Sequence, residues 1–124
     1  MRKSLAGLAF VTVAMPAAAA AQDSTPARGI FKSGEEVYVQ CIATDQASID
    51  RCDWFLMAAH DMATYYQDTK QIEVDFCVPK VTRAEQIRQV AVDRWRAKPQ
   101  SRRYSAVSSF LNALSEKYPG PCKG

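Results

Sequence analysis

Ser48 to Gln67 reads Ser-Ile-Asp-Arg-Cys-Asp-Trp-Phe-Leu-Met-Ala-Ala-His-Asp-Met-Ala-Thr-Tyr-Tyr-Gln, and this stretch decides the fold. It holds no Gly or Pro, and Ile49, Cys52, Leu56, Ala59, Ala63 and Tyr66 recur at three- and four-residue steps. That period is the signature of an amphipathic helix. Phe55, Met57, Ala58 and Met62 carry apolar character further round the cylinder. The expectation is therefore a central helix covered by several neighbours.

Working outward, the flanking segments supply three more helices. Ser33 is placed to cap a helix running to Ala43, with Glu35 and Glu36 in a first turn that favours negative charge. Thr44-Asp45-Gln46-Ala47 is a polar connection. Lys70 to Val78 alternates polar and apolar residues, but a lone strand finds no partner, so it is read as a loop. Pro79 ends that segment. Thr82-Arg83-Ala84-Glu85 fits a capping box opening a third helix to Lys98, with Ala84, Ile87, Val90, Ala91 and Trp95 on its apolar face and Arg83, Arg88, Asp93 and Arg96 opposite. After Pro99, Ser101 is expected to cap a fourth helix to Tyr118 that buries Tyr104, Val107, Leu111, Leu114 and Tyr118. Pro119-Gly120-Pro121 stops it. The fold class is all-α, a small four-helix domain.

The chain has 124 residues and 13.8 kDa, room for one domain. At 48% hydrophobic and 23% charged residues it is neither disordered nor a collagen-like repeat. Residues 1–21 read as a cleaved signal peptide. Arg2 and Lys3 form the basic start, Leu5 to Met15 the apolar stretch, and Ala19-Ala20-Ala21 the cleavage site. The apolar stretch is too short for a membrane span, which needs about 20 residues. Residues 22–32 are expected to be a flexible arm, and 33–124 the helical domain. Without Arg2 and Lys3, 14 basic side chains face 13 acidic ones. A near-neutral chain carries no electrostatic footprint for nucleic acid.

Export makes the four cysteines, Cys41, Cys52, Cys77 and Cys122, candidates for two disulfides. Three connectivities are possible. Cys41–Cys52 with Cys77–Cys122 is favoured, since the first would staple a helix hairpin and the second would pin the C-terminus. Zinc is disfavoured because the cysteines lack close-set pairs. His60, the single histidine, sits beside Asp61 and reads as a helix residue that packs or hydrogen-bonds rather than a general base. Asp50, Asp53 and Asp61 read as a solvated helix edge rather than a calcium loop. Arg94, Arg96, Arg102 and Arg103 read as ordinary charged surface. No phosphate loop, dinucleotide turn or nucleophile elbow occurs. No catalytic residue, cofactor or metal is assigned, and the spacing points to an exported binding module.

Three stretches resemble the Rap/Tai family of immunity proteins, which protect bacteria from peptidoglycan amidase toxins delivered by type VI secretion. They are Cys41 with Cys52-Asp53-Trp54-Phe55-Leu56-Met57-Ala58-Ala59-His60-Asp61; Phe76-Cys77-Val78-Pro79-Lys80-Val81-Thr82 continuing through Gln86, Val90, Trp95 and Pro99; and Ala106-Val107, Ala113-Leu114 and Tyr118-Pro119 leading to Cys122. The family usually has Gly where this chain has Trp54 and Ala58. Those larger side chains are expected to push neighbouring helices apart or to fill a gap.

The resemblance implies an all-helical periplasmic protein, often a homodimer, that plugs the active-site cleft of an amidase effector. The connecting loops Thr44–Ile49 and Gln67–Asp75 are the candidates to enter the cleft, with Asp45, Gln46, Asp68, Lys70 and Gln71 as candidate contact residues. The alternatives are a small acid-responsive periplasmic chaperone, an orphan envelope protein, and an enzyme centred on His60.

Overall fold

A computed structural model describes residues 29–73 and 76–123. The expected leader lies outside the described residues, as do residues 22–28 of the arm. Four α-helices follow one another: α1 (Gly34–Cys41), α2 (Gln46–Asp68), α3 (Ala84–Ala97) and α4 (Ala106–Lys117). A 3-10 turn, Pro99–Arg103, lies between α3 and α4. Among the described residues the only β-type pairings are isolated bridges, Ser33 with Ser105 and Phe76 with Pro119.

Local chemistry sets each helix start. The Ser33 hydroxyl accepts from the Glu36 amide (3.3 Å), and the Glu36 carboxylate accepts from the Ser33 amide (2.9 Å), so α1 opens on a complete capping box. In α2 the Asp45 carboxylate accepts from the Ser48 amide at 2.9 Å, which starts the helix two residues before the expected Ser48. The start of α3 shifts by one residue: the Arg83 amide donates to the Gln86 side-chain carbonyl at 2.8 Å, and Thr82 caps nothing.

The beginning of α4 corrects a larger misreading. Ser101 does not cap it. Its hydroxyl donates to the Lys98 carbonyl at 2.7 Å and closes the 3-10 turn, in which no residue is buried. Ser105 is the actual cap. With the helix entering four residues later, its inward face is Ala106, Ser109, Phe110, Ala113 and Leu114, while Tyr104 and Val107 stay exposed.

Val37, Cys52, Leu56, Trp95, Phe110 and Leu114 form the fully buried centre. Trp95 joins the helices there. Its indole N–H donates to the Ser109 hydroxyl at 2.7 Å, and its ring meets Tyr38 edge-on at 6.2 Å. Arg102 stacks 4.5 Å over the Tyr38 ring and pairs with Glu35, tying the 3-10 turn to α1. Gly34 is small for a reason visible here: an added Cβ would lie 2.8 Å from the Arg102 Cα and 3.1 Å from the Trp95 Nε1. Two backbone bonds finish this junction, Gly34 N–H to Tyr104 C=O (2.8 Å) and Ala106 N–H to Lys32 C=O (3.0 Å).

The disulfides join Cys41 to Cys52 and Cys77 to Cys122, with Cα–Cα distances of 5.1 and 4.9 Å. The first staples α1 to α2. The second ties the segment after α2 to the C-terminus. On the chain-entropy account such loops contribute about 3 and 4 kcal/mol.

α2 is less enclosed than its composition suggests. Cys52, Leu56, Ala59 and Ala63 are its buried stripe, but Trp54, Ala58, Met62 and Tyr65 face solvent. Tyr66 also reaches the surface, and Ile49 is only half-buried. The expected several neighbours are present, since α1, α3 and α4 all pack against it, but they leave the face of Trp54 and Tyr65 open. Trp54 and Ala58 push no helix apart and fill no gap. Asp53, expected on a solvated edge, instead pairs with Arg88 at 2.5 Å, half-buried between α2 and α3.

Two measurements test this junction. Gly34→Ala should destabilise the fold by about 1–3 kcal/mol, because backbone rather than a flexible side chain must yield; urea unfolding reads it. Ser109→Ala strands the buried indole N–H and should cost about 1–3 kcal/mol, whereas the exposed Ser108→Ala should cost less.

A pH effect follows from Glu116. Its hydrogen bond from Arg94, then that from Lys98, hold its carboxyl below the usual glutamate range. A depressed carboxyl stabilises above its unfolded value of about 4.3 and loses that contribution as pH falls through its folded value. Glu116→Gln should therefore flatten part of the fall in thermal midpoint below about pH 4.5, while changing little in the slope between pH 6 and 8.

Candidate functional site

α2 borders three possible contact regions, the first two of which share His60. Beyond its C-terminal half is a cavity of about 700 Å³ lined by His60, Thr64, Gln67, Lys70, Phe76 and the Cys77–Cys122 disulfide, among others. Beside its middle, Met57, His60 and Asp61 face the Val78–Ala84 segment across a groove of about 360 Å³. Its outer face makes the third region. A separate hollow of about 510 Å³ lies by Gly29, Ile30 and the start of α4.

The wall of the large cavity is built by cross-bracing. Phe76 is buried against the core, its carbonyl accepts from the Gln67 side chain (3.4 Å), and the Cys77 amide donates to the Tyr118 carbonyl (3.0 Å). α2 ends at Thr69, whose hydroxyl donates back to the Tyr65 carbonyl at 2.9 Å. Lys70 then turns the chain with a positive φ of 55°. The Gln71 amide closes the turn on the Tyr66 carbonyl at 2.9 Å.

The chemistry available is that of contact. His60 Nδ1 sits 3.2 Å from Asp61 Oδ1, its own neighbour, and its ring leans on Phe76. A general base would need its ring aimed at a nucleophile. Both cysteine pairs are oxidised, which leaves no thiolate. Among the described residues no group of three or more His, Cys, Asp or Glu could hold a metal ion.

The five candidate contact residues separate into two kinds. Asp45 and Gln46 are committed inside the chain: Asp45 caps α2, with its carboxyl held low by the bonds from Ser48, and Gln46 donates to Asp50 at 2.7 Å. Asp68, Lys70 and Gln71 are exposed at the far end of α2, and Asp68 and Lys70 border the large cavity. Val74 and Asp75 of the second candidate loop lie outside the described residues. Of the four arginines, Arg94 pairs with Glu116 and Arg102 with Glu35.

A family model for Rap1a immunity proteins matches residues 33–122, which takes in all four helices and all four cysteines. The chain belongs to the Rap1a immunity protein family. Its function is thus immunity against an effector, a role that is in general not enzymatic and that requires a surface for binding a cognate effector. Searches of curated proteins and of solved structures return no match. Among the described residues no helix is long and apolar enough to cross a membrane.

Sequence reasoning passed over Trp54, Met62 and Tyr65 as surface residues. The signal was present: on a helical wheel Trp54 and Tyr65 lie opposite the Cys52–Leu56–Ala59–Ala63 stripe and Met62 lies on its flank. Lys70 offers a backbone test. A β-branched side chain is poorly tolerated at positive φ, so Lys70→Val should cost about 1–2 kcal/mol in chemical unfolding, while Lys70→Gly stays close to the parent.

Proposed function

We propose that this protein is a periplasmic immunity protein that binds a peptidoglycan amidase effector of type VI secretion and covers its active-site cleft. The family match over residues 33–122 carries the reading. Two further observations support it. Both disulfides suit an oxidising compartment outside the cytosol. The expected leader over residues 1–21 suits export to that compartment.

Blocking a cleft demands a segment that projects and stays ordered, so that little conformational freedom is lost on docking. Of the two candidate connectors, the one before α2 is short and its Asp45 is taken up in capping. The segment that follows α2 is the one we assign to the cleft. It leaves the helix through the Lys70 turn and runs to the Cys77–Cys122 staple. Asp68, Lys70 and Gln71 are its contact residues.

The test is co-purification with the amidase encoded in a neighbouring reading frame, followed by a peptidoglycan-cleavage assay. The expected result is a stable complex and loss of cleavage, with Lys70→Asp weakening inhibition at least about tenfold, as for a residue costing more than 1 kcal/mol. Absence of both binding and inhibition with every neighbouring effector overturns the reading. Intact mass of the exported protein should match a chain starting at Gln22 with both disulfides formed.

A further inference from the structure

α2 is amphipathic twice over. Its buried stripe faces the bundle, and opposite it stand Trp54 and Tyr65, with exposed Ala58 and Met62 continuing round towards one flank. Trp54 is 71% exposed, and Met62 and Tyr65 are each 55% exposed. Leaving Trp, Met and Tyr together in water costs solubility, and these residue types are enriched where proteins bind one another. Trp54 and Tyr65 lie about 16 Å apart along the helix, a span of three turns. None of this face takes part in the core, so stability does not explain it.

The edge of the stripe says what covers it. Asp50, Asp61 and Asp68 are all exposed and are spaced by close to whole turns, about three and then two, so they form one line along the same side of the stripe. Arg51 stands at the N-terminal end of the stripe, in line with Ala58 and Tyr65, and donates to the Ser48 hydroxyl at 2.9 Å. Asp61 also lines the groove beside Met57 and His60, whose far wall includes Lys80.

A second copy fits this edge poorly. An antiparallel two-fold pairing of α2 on α2 brings the same side of each helix together, so three aspartates of one copy would face three of the other. A parallel pairing sets only Asp50 against an arginine. The complementary partner is a different protein with an apolar shelf bordered by lysines or arginines.

We infer that the outer face of α2, anchored by Trp54 and Tyr65 and edged by Asp50, Asp61 and Asp68, is the docking surface for a basic-rimmed effector. This rests on the immunity reading and adds to it a second contact region, which meets the segment after α2 at Asp68. Trp54 is the anchor, and the aspartates steer the encounter.

The experiment measures binding of the effector encoded beside this protein by surface plasmon resonance at several salt concentrations. Trp54→Asp and Tyr65→Asp should each keep the parent thermal midpoint and weaken Kd by about thirtyfold or more. The Asp50→Asn/Asp61→Asn/Asp68→Asn variant should lower the association rate and reduce its dependence on salt. Hydroxyl-radical footprinting of the parent complex should protect Trp54, Met62 and Tyr65. Trp95, which is buried already, should be unchanged.

Tight binding by the parent with unchanged Kd in both aromatic variants overturns the inference and leaves the immunity reading standing. Failure of the parent to bind any neighbouring effector overturns the immunity reading, and this inference with it. Sedimentation showing that Trp54→Asp turns a dimer into a monomer, with effector affinity unchanged, assigns the face to a second copy and also overturns it.

Discussion

Everything in this molecule leans on the burial of one indole. Trp95 is the largest fully buried side chain, and its polar atom is satisfied by Ser109 across the α3–α4 contact. A buried N–H without a partner would cost more than the bond gains, so the hydroxyl is as necessary as the ring. The same indole sets the approach of α1, because Gly34 is the residue that lets the backbone near Arg102 come this close. Tyr38 and Arg102 then cover the ring's edge. Three helices and the 3-10 turn are placed by their relation to one side chain.

That arrangement explains which parts of the fold were legible. The helical period of Ser48–Gln67, the Ser33 cap and the breaks at Pro79 and Pro99 are local signals, and local physics is enough to read them. The rotation of α4 was not legible. Ser101 and Ser105 are equally good caps in isolation, and only the packing of Phe110 and Ser109 against Trp95 chooses between them. The Asp53–Arg88 pair was hidden for the same reason, since its partners are 35 residues apart. A charge on a helix can be solvated or paired across a contact, and spacing alone does not distinguish these.

The candidate site was legible in chemistry and only partly in place. A leader-like start, four cysteines suited to pairing and no arrangement of nucleophile and base point to binding, and the family match agrees with a binding role. Sorting the candidate contact residues required the third dimension. Asp45 and Gln46 looked like loop residues until the cap and the bond to Asp50 drew them into α2. The apolar residues of α2 looked like material for several neighbours, and three helices do pack on it, but they leave Trp54 and Tyr65 uncovered. Composition counts the sticky side chains of a helix, but the bundle's topology decides which of them are left over.

The two staples meet α2 and its continuation at opposite ends, Cys52 near the start and Cys77 beyond the finish. Between these clamps the helix is a beam whose inner surface carries the load and whose outer surface carries none. Residues on the unloaded side can change without disturbing what holds the protein folded. Such a surface can diversify quickly under selection, so two proteins sharing this scaffold could come to recognise different targets while melting at the same temperature.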